Sequence, residues 1–174
     1  MSLTLREGAK AQRIAELIHR SIPYPLLLVI EQPEGVRLSA ANLRWSQGQS
    51  GQMVLDGAVV TTSVDSDAPE TEPFLASLDL AAQPKEHLQA LYQGWIERLE
   101  AHSAAQHTGT FEPAHDPEAA ERRRVALTEH QRLTKEIATL RAQAAKERQL
   151  NRRVDLNLKL KAHETALEKL AEDL

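Results

Sequence analysis

Cysteine is absent, which excludes a disulfide scaffold, a cysteine zinc site and a thiol nucleophile. Aromatic residues number six in 174, two each of Trp, Tyr and Phe, too few for a base-stacking platform of the RRM or OB type. The longest apolar run is the five residues Leu26 to Ile30, far short of the roughly 20 that a membrane span needs. Met1 to Arg6 has no basic stretch leading into an apolar one, so no secretory signal is read, and a cytoplasmic, membrane-free protein is expected. Charge of one sign is also missing. With 21 Lys and Arg against 25 Asp and Glu the net charge is −4, which excludes a uniformly basic nucleic-acid coat. Neither Gly-x-x-x-x-Gly-Lys nor Gly-x-Ser-x-Gly occurs. Nucleotide hydrolysis on a phosphate loop and an elbow-type serine nucleophile are therefore not expected, nor is a cofactor.

What is there is unevenly distributed. Residues 1–110 carry 8 basic and 13 acidic side chains, with five acids and no base from Asp65 to Asp79. Arg122 to Lys161 carries 12 basic against 4 acidic, and the end of the chain turns acidic again. The summed charge thus hides a basic stretch between acidic ones. All seven glycines and seven of the eight prolines lie at or before Pro113, and Pro117 is the last of either. From Glu118 onward the chain is built from Ala, Leu, Glu, Lys, Arg and Gln, the strongest helix formers. This shift divides the chain into a body over 1–103, a linker over 104–117 with Gly, Pro and His, and a helical segment over 118–174.

In the body, Ile14, Leu17 and Ile18 at i, i+3, i+4 predict a helix from Glu7 to Ser21, ended by Ile22-Pro23-Tyr24-Pro25. The run Leu26 to Ile30 suits a strand buried on both faces. Gln32-Pro33-Glu34-Gly35 then turns the chain into a second strand, Val36 to Leu43. After a turn at Gln47 to Gly51, the β-branched stretch Gln52 to Val64 predicts a third strand with a bulge at Asp56-Gly57. Helices are expected over Phe74 to Ala82 and Lys85 to Ala104, the latter with Leu88, Leu91, Tyr92, Trp95, Ile96 and Leu99 on one face. Trp45, Tyr92 and Trp95 read as core packing in preference to a cofactor box. The fold class is α+β, a small three-stranded sheet with packed helices followed by a long helical hairpin of coiled-coil type.

The hairpin rests on two heptad seams. Leu133, Ile137, Leu140 and Ala144 form one, and Leu156, Leu160, His163, Leu167, Leu170 and Leu174 the other. They are out of phase and joined by the polar run Lys146 to Arg153. This predicts two antiparallel helices with a turn at Gln149 to Asn151 and Asn151 as cap of the second. The alternative is one uninterrupted helix of 57 residues, about 85 Å long, that would dimerise.

Ile22-Pro23-Tyr24-Pro25-Leu26-Leu27-Leu28-Val29, Leu43-Arg44-Trp45-Ser46-Gln47, Leu91-Tyr92 and the run Lys146 to Asn157 together resemble a bacterial domain-of-unknown-function family, number 4391. The resemblance runs from about Leu5 to Leu174. It implies an accessory protein encoded beside helicases and DNA methyltransferases in restriction-like and anti-phage loci, with a partner from the same locus. It brings no activity with it. Members of the family carry further strands ahead of the Ile-Pro-Tyr-Pro element, where this chain is short.

An enzyme in such a setting would be a small metal-dependent nuclease, which needs carboxylates converging on a divalent cation with a lysine nearby. Glu31, Glu34 and Asp56 are the candidates, but the first 84 residues hold one lysine, Lys10. His102, His107 and His115, at spacings of 5 and 8, do not form a helical zinc pattern and read as solvated. No metal site is expected. The remaining signal is Arg122, Arg123 and Arg124 with Lys146, Arg148, Arg152 and Arg153, able to meet a phosphate backbone or an acidic partner. The expectation is a non-catalytic interaction subunit. Its rivals are the nuclease and a self-associating coiled-coil homodimer without a nucleic-acid role.

Overall fold

The computed structural model describes every residue except Gly8, Ala9, Pro23, Gln49, Ser50, Gln52, Glu172 and Asp173. The start of the expected first helix, the role of Pro23 in ending it, the middle of the turn at Gln47 to Gly51, the first residue of the third predicted strand and part of the acidic chain end therefore lie outside the described residues. The rest forms two compact units, Met1–Ala114 and His115–Leu174. No described helix is long and apolar enough to cross a membrane.

The first unit is α+β. Its elements are β1 (Ser2–Thr4), α1 (Ala11–Ser21), β2 (Leu28–Gln32), β3 (Gly35–Trp45), β4 (Met53–Val64), α2 (Thr71–Ser77), a 3-10 turn (Leu80–Ala82) and α3 (Leu88–Thr108). The sheet has four strands, not three, in the order β1-β2-β3-β4. The fourth is β1, parallel to β2, with Leu3 opposite Ile30. Three residues are too few for a period-of-two signal. The pairing comes from the far side: the Met1 amino group donates to the Leu27 carbonyl and the Leu5 amide to that of Glu31. β2 is shifted by two residues from the expected run, beginning at Leu28 and not Leu26 and ending at Gln32, where Gly35 of β3 pairs with it. β2, β3 and β4 are antiparallel. The β3–β4 register shifts between Ala41 and Leu43, opposite Asp56-Gly57, where Gly57 takes a φ of 84° that other residues adopt at a cost.

Alternation along the strands separates two cores. Leu28 and Ile30, both fully buried, meet Ala11 and Ala15 of α1 on one face. Leu38 and Ala40, with Val29 beside them, meet Phe74, Tyr92, Ile96 and Leu99 on the other. Interior strand β2 is thus covered on both sides. Tyr92 is buried and Trp95 packs against the same core, but Trp45 is 67% exposed and belongs to neither. It is the last residue of β3, beyond the reach of either helix layer. α3 runs four residues past the expected end at Ala104. Gly109 stops it with a left-handed φ of 78°, its N–H donating to Ala105.

The second unit is an antiparallel helix pair, α4 (Pro117–Lys146) and α5 (Leu150–Leu170). Pro117 takes the first helical position, and Asp116 caps α4 by accepting the Ala119 N–H at 2.7 Å. Glu136 to His163 and Arg141 to Glu164 link the two helices, while Arg123 reaches the Leu174 carbonyl, so the chains run in opposite directions. Leu133 and Ile137 are buried, and Leu140 and Ala144 half-buried, as are Leu156, Leu160, His163, Leu167, Leu170 and Leu174. Both seams point inward. The turn is Glu147 to Gln149, two residues earlier than expected, and Asn151 lies inside α5 and does not cap it. The Glu147 carboxylate accepts the Gln149 N–H at 2.8 Å, closing the turn before Asn151 is reached.

Candidate functional site

The tip of the hairpin gathers four of the seven cations that the sequence singles out. Lys146 ends α4, Arg148 sits in the turn, and Arg152 and Arg153 fall in the first turn of α5. All four are exposed, and none is paired within the chain among the described residues. The arginines elsewhere along the pair are matched, whereas Lys135, Lys159, Lys161 and Lys169 are in no ion pair among the described residues. Arg122 faces Glu118 at 3.9 Å, Arg124 faces Glu121 at 2.6 Å, and Arg141 faces Glu164 at 2.6 Å. Arg132 bridges Glu129 and Glu136, and its hydrogen bond holds the Glu129 carboxyl below the usual range. Arg123 is half-buried with its Nε directed to the Leu174 carbonyl. Arg122, Arg123 and Arg124 therefore lie some 22 residues of helix from the tip, about 33 Å, and are engaged locally.

Two local features sharpen the tip. Lys146 stands at a helix C-terminus, where a cation is favoured, but Arg152 and Arg153 stand at an N-terminus, where the helix dipole disfavours them. α5 has no acid in its first turn, and the Gln149 side chain makes no cap hydrogen bond. The start of α5 thus combines unsatisfied N–H groups with two arginines, and the Glu147 carboxylate, which accepts the Gln149 N–H, offsets only part of that positive potential. Beside it, Lys146, Arg152 and Lys159 line a groove of about 520 Å³ with Gln143, Glu147, Asp155 and Leu156. At the other end of the pair, a groove of about 490 Å³ is lined by Glu118, Glu121 and Glu129 around Val125, Ala126 and Leu170, with one base, Arg122.

The carboxylates considered for a nuclease do not converge. Glu31 on β2 accepts from Ser2 and Thr4, Asp56 on β4 pairs with Arg44 at 3.4 Å, and Glu34 lies in the β2–β3 turn. Among the described residues no three His, Asp or Glu side chains come together as metal ligands do.

The histidines correct the sequence reading. His102 is not solvated: it is 1% exposed on α3, stacked on Phe74 at 4.0 Å, with Nδ1 2.7 Å from the Thr62 hydroxyl. His19 on α1 is buried too, its Nε2 3.0 Å from the Ser39 hydroxyl, which also accepts from Thr61. A serine beside an imidazole has the contact of a nucleophile and its base. Ser39, however, is fully enclosed, so no substrate atom can reach it, and the pair joins α1 to the sheet. The signal for both histidines is spacing. His19 continues Ala11 and Ala15 at i+4 and i+8, and His102 continues Trp95 and Leu99 at i+7 and i+3.

The family model described as "Domain of unknown function (DUF4391)" matches residues 1–167, and the chain belongs to that family. Comparison with curated proteins and with solved structures gives no match.

Proposed function

We propose that this chain is a non-catalytic interaction subunit of a bacterial anti-phage or restriction–modification-like system, docking a helicase or DNA methyltransferase through the hairpin tip. The observation that supports this reading is the contrast in charge pairing. The arginines along the helices face glutamates or a carbonyl, whereas Arg148, Arg152 and Arg153 at the tip, with Lys146 beside them, face solvent unpaired. Four like charges at one solvated end repel each other mildly, and an anionic partner turns that repulsion into attraction. The setting beside helicases and methyltransferases comes from the family resemblance. A phosphate backbone is the second reading, favoured by the positive start of α5.

The test replaces all four cations with Ser. None belongs to either seam, so the far-UV circular dichroism and the thermal midpoint should stay nearly unchanged. Co-purification of the full chain with the products of its neighbouring genes should be lost, or weakened at least tenfold, and its salt dependence flattened. Retention of a partner by the four-fold variant would remove the tip from the interface. The purified chain with Mg²⁺ or Mn²⁺ should cut neither single- nor double-stranded DNA. Cleavage abolished by Glu31→Ala or Asp56→Ala would replace the docking reading with the nuclease.

A further inference from the structure

α5 is apolar on two opposite faces. One carries the inward seam. The other carries Leu150, Val154 and Leu158 at i, i+4 and i+8, which are 64%, 48% and 63% exposed. Isolated exposed leucines are ordinary, but three in one row over about 12 Å of helix form a stripe, and this one begins at the cationic turn. A neighbouring row, Arg153, Asn157 and Lys161, follows the same spacing and flanks the stripe with positive charge. Arg148 closes its end.

Resting on the reading of the tip as a docking surface, we propose that its occupant is an acidic amphipathic helix of a partner protein. Apolar side chains of that helix, spaced one turn apart, would lie on Leu150, Val154 and Leu158. Its carboxylates would face Arg148, Arg153 and Lys161. The charge fixes the sign of the partner, and the stripe fixes its class. A phosphate backbone gains nothing from three exposed aliphatic side chains, whereas a helix laid on a helix buries them. A second copy of this chain fits poorly: three residues fall well short of the roughly 800 Å² per partner of a stable interface, and two such tips repel.

The experiment uses the full chain and two labelled synthetic helices of identical glutamate-rich composition, one with its leucines on a single face, the other with them dispersed. Single-stranded and duplex DNA serve as further probes. The single-faced helix should bind at least tenfold more tightly than the dispersed one. Leu150, Val154 and Leu158 changed together to Ser should abolish that preference and leave the salt-dependent attraction. Should that variant misfold, Leu158→Glu alone, which sets a carboxylate in the stripe, should weaken the single-faced helix more than the dispersed one. Equal affinity for the two helices overturns the inference, as does a preference that survives both variants. DNA binding that ignores the apolar variants but falls with the four cations overturns it while leaving the tip as a docking surface. Binding indifferent to the four cations overturns the tip reading itself.

Discussion

Two imidazoles sit inside the first unit, and burial pulls both below the ordinary value of 6.5. For His19 this outweighs the contact at Ser39, and for His102 it outweighs the charge of Glu70. Both therefore take up a proton less readily in the fold than in the unfolded chain. As the pH falls through about 6.5 the unfolded chain takes up protons that the folded chain refuses, so stability is full above that value and declines below it. Each histidine contributes at most about 1.4 kcal/mol per pH unit. Urea midpoints should therefore drop between about pH 7 and about pH 5, and His102→Gln should show a smaller drop, the rest coming from His19 and from His107, which desolvation also lowers. Equal midpoints in the native chain would mean that the buried rings take up protons as readily as those of the unfolded chain. Tyr92 sets a second test at this scale. Its hydroxyl accepts the Ala41 N–H at 3.1 Å and faces the carbonyls of Ala41 and Leu26 at 3.0 and 3.1 Å, where β3 has run past the end of β2. Tyr92→Phe leaves these buried backbone groups unpartnered and should cost about 1–3 kcal/mol in denaturant unfolding. Why Tyr92 is a tyrosine was not legible in the sequence. Its spacing on α3 marks a core position, but the hydroxyl answers to a strand end 51 residues away.

At the scale of elements, long periodic segments were legible and short ones were not. α4 and α5 are specified by their own seams, each several turns long, so their helices and inward faces follow from spacing, while the choice of a folded pair over one continuous helix is settled by the turn at Glu147 to Gln149. Their turn was misplaced because a side-chain preference for Asn as a cap was outweighed by Glu147 closing the chain earlier. β1 was missed because it is a strand only by virtue of β2. Spin labels at Ala142 and Lys159, both exposed, should lie close together across the pair. A separation of roughly 25 Å, that of one continuous helix, would contradict it. In β2, Leu28 is fully buried in the α1-facing core, on a strand covered on both sides. Leu28→Asp places an unpaired charge there and should remove several kcal/mol, comparable to the whole stability of a domain. A soluble, cooperatively unfolding Leu28→Asp variant would show that β2 is peripheral. The candidate site divides in the same way. Its basic residues stand out in the sequence as a run, and the glutamates three and four residues before Arg124 and Arg122 stand there too, whereas the partner of Arg123, the Leu174 carbonyl, comes only with the fold.

At the scale of the whole molecule, the helix pair is electrically polar, with acids around one groove and unpaired cations at the tip. The scarcity of rings has an optical consequence. All six aromatic residues lie in Met1–Ala114, and α4 with α5 holds more than half of the α-helical residues. Tryptophan fluorescence and near-ultraviolet circular dichroism therefore watch the sheet unit alone, through Trp95 bonded to the Leu78 carbonyl and Trp45 in solvent. Far-ultraviolet circular dichroism watches mainly the helix pair. Each unit thus comes with its own spectroscopic channel, without a label. Coincident melting in the two channels would show one cooperative transition, and separated melting would give each unit its own midpoint.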